Sequence, residues 1–93
     1  MATGTIEIDF GLGIGAFEAQ VAVTGQTAIL ATSYAESWVM AEASTDHSVD
    51  DHKHFQMFVG LTCSVPTAAT GFTIYARTTE RMRGKWKIRW VWL

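Results

Sequence analysis

The end of the chain, from Lys85 to Leu93, alternates between large apolar and basic side chains. One set of alternate positions is apolar and comprises Trp86, Ile88, Trp90 and Trp92; the other is basic and comprises Lys85, Lys87 and Arg89. A period of two separates these sets only in a strand, where successive side chains point to opposite faces. The chain must therefore build a sheet with one face apolar enough to bury several tryptophans.

The same alternation predicts strands over residues 5–10, 17–23, 55–65 and 72–78, of which 55–65 is the most regular. Residues 28–41 are rich in β-branched and aromatic side chains and predict one long bent strand or two short ones. A helix is the alternative there, because the segment also contains good helix formers. The glycines at 11, 13 and 15, Gly25, Pro66 and Gly71 mark the connections.

Six or seven short strands separated by turn signals predict an all-β fold. The expected architecture is a single small β-sandwich or a jelly-roll-like barrel of about six to eight strands over residues 1–93. A chain of 93 residues lies near the lower limit for a core of its own, yet 48% of its residues are hydrophobic. A monomer of this size cannot hide that much apolar area, so we predict a homo-oligomer.

Charge is segregated along the chain. Eight acidic residues and no Lys or Arg precede Lys53, whereas seven basic residues and a single acidic one, Glu80, lie from there onward. Such segregation favours contacts between unlike surfaces, within one subunit, between copies or on a larger assembly. The acidic first strand could also pair with the basic last strand and cancel charge across the sheet.

The basic residues of the second half are candidates for an interface. They and the tryptophans beside them are Arg77, Arg81, Arg83, Lys85, Lys87 and Arg89 with Trp86, Trp90 and Trp92. This basic stripe resembles a platform for single-stranded nucleic acid. The tryptophans lie on the opposite face, however, and the net charge is −2, so we do not expect nucleic acid as a partner. We predict that the tryptophans form core or a subunit interface, with a sugar-stacking surface as the alternative.

Residues 43–54 form the one strongly polar segment and predict a mobile, solvated loop. The metal-ligand candidates in this loop are His47, Asp51, His52 and His54, beside Asp46 and Asp50. Their spacing fits neither a zinc finger nor a metalloprotease helix, so we expect no metal and no other cofactor. A threefold axis could still bring one histidine from each of three copies around an ion.

No catalytic signature is present. Gly11, Gly13 and Gly15 fit no phosphate-binding fingerprint, the serines have no nucleophile-elbow context, and Cys63 is the only cysteine. We expect Cys63 to be a buried small hydrophobic residue. The sequence therefore predicts a protein that is not an enzyme.

No targeting or membrane segment is predicted. The first residues have neither a basic n-region nor an apolar h-region, so we expect no secretory signal. The longest stretch without Asp, Glu, Lys or Arg, residues 54–76, contains Pro66 and two glycines and lacks the continuous apolar character of a membrane span.

Five stretches of the chain resemble small structural proteins of tailed bacteriophages. They are Gly4-Thr-Ile-Glu-Ile-Asp-Phe-Gly, Val21-Ala-Val-Thr-Gly-Gln, the Asp46-His and Asp51-His pairs, Gly71-Phe-Thr-Ile-Tyr-Ala, and Gly84-Lys-Trp-Lys-Ile-Arg-Trp-Val-Trp. The resemblance is one of layout, and none of these stretches is a motif with defined chemistry. It implies a virion component with a β-sandwich fold, trimeric and without catalysis.

The function expected from this resemblance is that of a capsid decoration or cement protein. It would assemble in the host cytoplasm, dock on the major capsid protein or another virion protein, and pack with copies of itself. One alternative is a tail, baseplate or receptor-binding module that recognises host glycans through exposed aromatics. A further alternative is a β-barrel that binds single-stranded nucleic acid.

Overall fold

The computed structural model of the protein describes all residues from Met1 to Leu93. Its elements are β1 (Ala2–Asp9), β2 (Ala16–Val23), β3 (Ala35–Trp38), α1 (Val49–Phe55), β4 (Val59–Cys63), β5 (Phe72–Met82) and β6 (Lys85–Trp92). The strands form two antiparallel sheets, which we call the first sheet (β1-β6-β3) and the second sheet (β2-β5-β4). The all-β class and the small sandwich predicted from the sequence are confirmed.

The central strands β6 and β5 supply most of the core between the sheets. Trp86, Trp90 and Trp92 are 5–7% exposed, and they pack in one cluster with Phe72 and Ile74 of β5. Burial of one such ring stabilises the fold by about 2–3 kcal/mol at ~25 cal/mol per Å². The division of the last strand into a buried and an outward face is thus confirmed, and its tryptophans form core rather than an exposed interface.

The first and last strands lie side by side. In the register of β1 against β6, Glu7 is opposite Lys87 and Asp9 is opposite Lys85. Opposite charges at facing positions stabilise a sheet modestly, by about 0.2–1 kcal/mol per pair. The expected pairing of the acidic first strand with the basic last strand is confirmed.

The prediction of a mobile loop over residues 43–54 is wrong in its second half, because α1 begins there. Ser48 caps the helix: its Oγ accepts the Asp51 N–H, and the Asp51 carboxylate accepts the Ser48 N–H. This reciprocal capping box satisfies backbone donors that the helix start would leave free. His52 and Phe55, three residues apart on one helix face, are both fully buried.

The regular alternation over residues 55–65 does not form one strand. Phe55 is the last residue of α1, residues 56–58 form a turn, and only Val59–Cys63 pairs with β5. The apolar side chain at position 55 is explained by the helix, because Phe55 stacks on Trp86 at the end of α1. Its apparent period of two with the following strand is therefore a coincidence.

Two other strand predictions change in extent. Only Ala35–Trp38 of residues 28–41 is a strand, preceded by turns, and the helical alternative is wrong. β5 continues past residue 78 to Met82, so that Arg83 and Gly84 alone join it to β6. The helix α1 has seven residues, and the protein contains no helix with the length and apolar character needed to cross a membrane.

The two strand glycines Gly4 and Gly60 offer a matched test of core packing. A Cβ at Gly4 would lie 2.6 Å from Cζ2 of Trp90, whereas a Cβ at Gly60 would have only Arg77 O within range, at 3.7 Å. We expect Gly4→Ala to lower the free energy of unfolding by about 1–3 kcal/mol through overpacking. Gly60→Ala should be neutral or slightly stabilising. Chemical denaturation of both variants checks this, and equal effects would contradict the described contact.

Candidate functional site

The backbone of β6 is completed on one side by side chains instead of a strand. β3 covers β6 only from Arg89 to Trp92. Beyond that point the Lys87 N–H donates to His52 Nε2 at 2.9 Å, and the Lys85 N–H donates to Asp46 Oδ2 at 2.7 Å. The segment that follows β3 therefore continues the hydrogen-bond ladder that β3 leaves unfinished.

His52 is the buried member of this arrangement. Because its Nε2 accepts the Lys87 N–H, its proton must lie on Nδ1, which donates to Ser48 O at 2.9 Å. Both ring nitrogens are thus used within the protein, in one neutral tautomer. His52 joins α1 to the central strand of the first sheet and has no lone pair free for a metal.

His47 covers the edge of the tryptophan core. Its ring stacks on Trp86 with centroids 3.5 Å apart and planes at 13°, and Phe55 stacks on Trp86 at 4.2 Å and 17°. His47 Nε2 donates to Arg83 O at 2.6 Å, and Nδ1 lies 3.4 Å from an Asp51 carboxylate oxygen. The Ser48 N–H and the neighbouring His47 keep the pKa of Asp51 below its usual value.

The four metal-ligand candidates are therefore not gathered around a common point. His47 and His52 hold backbone groups, Asp51 caps α1, and His54 is exposed beside the Phe58 ring at 4.8 Å. No group of three His, Cys, Asp or Glu side chains is placed to hold an ion. The sequence analysis missed the structural role of His52, although Ser48 and Asp51 at capping-box spacing signal a helix start.

The segregated charges meet one another within the subunit. Glu42 accepts two hydrogen bonds from the Arg89 guanidinium, at 2.9 and 3.0 Å, and Glu18 contacts Arg77 at 2.6 Å. Hydrogen bonding to Arg89 lowers the pKa of Glu42, and Glu42 raises that of Arg89. Hydrogen bonds from the N–H and hydroxyl of Thr45 lower the pKa of Glu7.

The six basic interface candidates do not form one stripe, and that expectation is wrong. Lys85, Lys87 and Arg89 lie on the outer face of the first sheet, whereas Arg77 lies on the outer face of the second. Arg81 stands over the Phe17 ring at 4.9 Å, and Arg83 donates to Gly13 O at 3.0 Å. Opposite faces of a sandwich cannot grip one strand of nucleic acid together.

The outer face of the first sheet ends in an apolar patch. Tyr34 and Leu93 exchange two backbone hydrogen bonds and are 78% and 62% exposed, and Trp38 on the same face is 37% exposed. Glu36 and Val91, a facing pair, lie between them. We call Tyr34, Trp38, Val91 and Leu93 the Tyr34 patch; these side chains lie around the exposed carboxylate of Glu36, and so many exposed apolar groups are typical of an interaction surface.

A second apolar feature lies at the opposite end of β1, in the loop of residues 10–15, here called the glycine loop. Leu12 and Ile14 are 84% and 78% exposed at its tip. The loop is tied to the β5–β6 turn, since the Gly84 N–H donates to Gly11 O at 2.8 Å and Arg83 donates to Gly13 O. Two apolar side chains are thus presented on an anchored turn.

The outer face of the second sheet forms a shallow groove with a volume of about 670 Å³. Its lining residues come from facing positions of the three strands. The side chains are those of Glu18, Gln20, Thr62, Tyr75 and Arg77, and the remaining lining is at Ala19, Gly60 and Ala76. Cys63 points the other way, half-buried against the core, and desolvation raises the pKa of its thiol. That thiol is poorly suited to act as a nucleophile.

Comparison with protein-family models, curated proteins and solved structures finds no match to this chain.

Replacing His52 tests its role as a bridge. His52→Leu keeps the apolar volume but leaves the part-buried Lys87 N–H without its partner, while Ser48 C=O keeps the hydrogen bond from the backbone N–H of residue 52, so we expect a loss of about 1–3 kcal/mol in the free energy of unfolding. The matched change His54→Leu, on the exposed side of the same helix, should cost less than ~0.5 kcal/mol. Denaturation in the presence and absence of EDTA should give the same values; a loss caused by EDTA would instead assign the histidines to a metal.

The Glu42–Arg89 pair predicts a pH dependence of stability. Because the pKa of Glu42 is lowered in the folded protein, the stabilisation is fully present above about pH 4.3, where free glutamate titrates, and is lost as pH falls through the lower folded pKa. Glu42→Gln should reduce the free energy of unfolding at pH 7 by about 1 kcal/mol or less, and it should reduce the loss of that free energy as the pH falls into the acid range. Glu80→Gln, at an exposed carboxylate without an ion pair, should leave this acid dependence unchanged.

Proposed function

We propose that the protein is a non-enzymatic structural component of a tailed-phage virion, a capsid decoration protein that packs with copies of itself, as a trimer, and docks on the major capsid protein. The observation that carries this proposal is the Tyr34 patch. Its large apolar side chains remain exposed although the sandwich already has a buried core of its own. A second copy seated there would remove them from water.

Several charged side chains are already paired within the subunit, which favours association through apolar surfaces. Glu18, Glu42 and Asp46 are already engaged by Arg77, Arg89 and the Lys85 N–H of the same subunit. Such pairs are partly satisfied before any partner arrives, so they offer little further gain on association. Copies would then be held by burial of apolar area rather than by attraction between charged poles.

The glycine loop supports a second, separate contact. Leu12 and Ile14 lie at the end of β1 that carries Asp9, whereas the Tyr34 patch lies at the end that carries Ala2. The molecule is 37 Å long, so the two features can contact different partners at once. We assign the Tyr34 patch to neighbouring copies and the glycine loop to the capsid shell.

The layout resemblance to phage structural proteins and the dispersal of the basic residues favour this function over nucleic-acid binding. A receptor-binding module that recognises host glycans through exposed aromatics has less support from the tryptophans, because Trp86, Trp90 and Trp92 are buried and only Trp38 is partly exposed. Location in capsid or tail would follow from the copy number of the protein in purified virions, relative to the major capsid protein.

Two matched substitutions test the assigned surfaces separately. We expect Tyr34→Lys to weaken self-association by at least about tenfold, or ~1.4 kcal/mol, because it places a charge in an apolar contact. Leu12→Lys should leave self-association unchanged and weaken binding to capsids that lack the protein. Sizing with light scattering at micromolar concentration measures the first property, and co-sedimentation with capsids measures the second.

Circular dichroism on each variant confirms that a loss of binding is not a loss of fold. A wild-type protein that is monomeric and does not bind capsids would overturn the proposal. Loss of self-association in Leu12→Lys but not in Tyr34→Lys would exchange the two assigned surfaces.

A further inference from the structure

The groove on the outer face of the second sheet has a polar row whose side chains have no partner within the protein. Gln20 faces Tyr75 across β2 and β5, and Thr62 faces Tyr75 across β4 and β5. The Gln20 amide, the Tyr75 hydroxyl and the Thr62 hydroxyl make no hydrogen bond with any other protein group. Each of these three groups can both donate and accept hydrogen bonds, and the three lie in one line across the sheet.

The neighbouring row carries charge that is already neutralised. Glu18 Oε1 lies 2.6 Å from Arg77 Nη2, so the groove presents a carboxylate and a guanidinium as a pair rather than as a net charge. The third position of this row is Gly60, whose missing side chain leaves the edge of the groove open. An anionic or cationic ligand would gain little from such a surface.

Tyr75 supplies the apolar part of the groove. Tyr75 is 44% exposed on the central strand of the sheet, and its ring is the apolar group of the groove, because the side chains of Ala19 and Ala76 pack against the core. The electron-rich face of an aromatic ring attracts the weakly positive C–H edge of a ligand. A ligand that fits must therefore combine an apolar C–H face with hydroxyl groups that both donate and accept hydrogen bonds.

We propose that this groove binds an uncharged carbohydrate, with one sugar ring against Tyr75 and its hydroxyl groups hydrogen-bonded to Gln20 and Thr62. Its volume, about 670 Å³, lies within the range of about 300–1,000 Å³ found for small-molecule sites. An extended peptide that crosses the groove over β5 finds no free backbone groups there, because β5 is paired on both sides; addition at the edge of β2 or β4 would place a peptide beside the groove rather than in it. Nucleic acid would require a net positive surface.

This site is independent of the assembly proposed above. The groove lies on the outer face of the second sheet, and the Tyr34 patch lies on the outer face of the first, across the core. Packing of copies through the Tyr34 patch would leave the groove open. The groove can therefore be tested in the wild-type chain whatever its oligomeric state.

The test begins with a glycan array that includes neutral, sialylated and sulfated glycans, followed by NMR titration of isotope-labelled protein with lactose, maltose and cellobiose and with the neutral glycans that bind on the array. We expect shifts confined to the amides of Gln20, Thr62 and Tyr75 and their strand neighbours. Tyr75→Ala should weaken binding by at least about tenfold. Leu30→Ala, at an exposed apolar residue outside the groove and the Tyr34 patch, should leave it unchanged.

A second variant separates binding from folding. Gly60→Val adds a side chain at the open edge, where the backbone has room for a Cβ, and should reduce sugar binding while the protein keeps its thermal stability. Absence of any neutral glycan that binds, or equal binding by Tyr75→Ala, would overturn the proposal. So would binding of charged glycans only, or concentration-dependent shifts of the groove without sugar, which would assign this face to a second copy.

Discussion

The backbone of β6 needs hydrogen-bond partners on both sides along its length, and β3 supplies them over only half of one side. An unpaired backbone group next to the tryptophan core would cost free energy comparable to a lost hydrogen bond. His52 and Asp46 fill that gap by accepting the Lys87 and Lys85 N–H groups. Because His52 must enter the core edge to do so, the helix that carries it is drawn against Trp86, and the polar segment 43–54 becomes part of the fold.

The same geometry decides where the charge goes. The segment between β3 and α1 runs beside β6, so Glu42 reaches Arg89, and Thr45 binds Glu7 of the next strand. Charge segregated along the sequence is thereby brought together in space. Each exposed pair contributes little by itself, but Glu18 and Glu42 are neutralised by Arg77 and Arg89 of the same subunit. What remains available for contact includes the exposed apolar side chains and the neutral groove, beside single carboxylates such as Glu36 and Glu80 that form no ion pair.

How far the sequence could predict this structure depended on the range of the contacts. The faces of β6, the extent of β2 and the glycine connection follow from alternation and turn chemistry, which are local. The strand predicted over 55–65 failed, because Phe55 belongs to the inner face of a helix whose capping residues, Ser48 and Asp51, were the signal to weigh. The contact of Glu18 with Arg77 could not be predicted, nor could the placement of Gln20 and Thr62 on either side of Tyr75. The periodicity of a segment shows which side chains share a face, but it does not show which distant strands are neighbours in the sheet.

The two outer faces of the sandwich therefore suit different partners. On the first sheet, charged side chains and the segment after β3 occupy one half and leave the Tyr34 patch as the area from which water is most easily displaced. On the second sheet, no segment crosses the groove, and its exposed groups are polar but balanced in charge. An apolar patch gains free energy from any complementary apolar surface, whereas a neutral polar groove gains only from a ligand that replaces its water hydrogen bonds group by group. Self-association on one face and recognition of a small hydroxylated ligand on the other are consequently compatible in a chain this short.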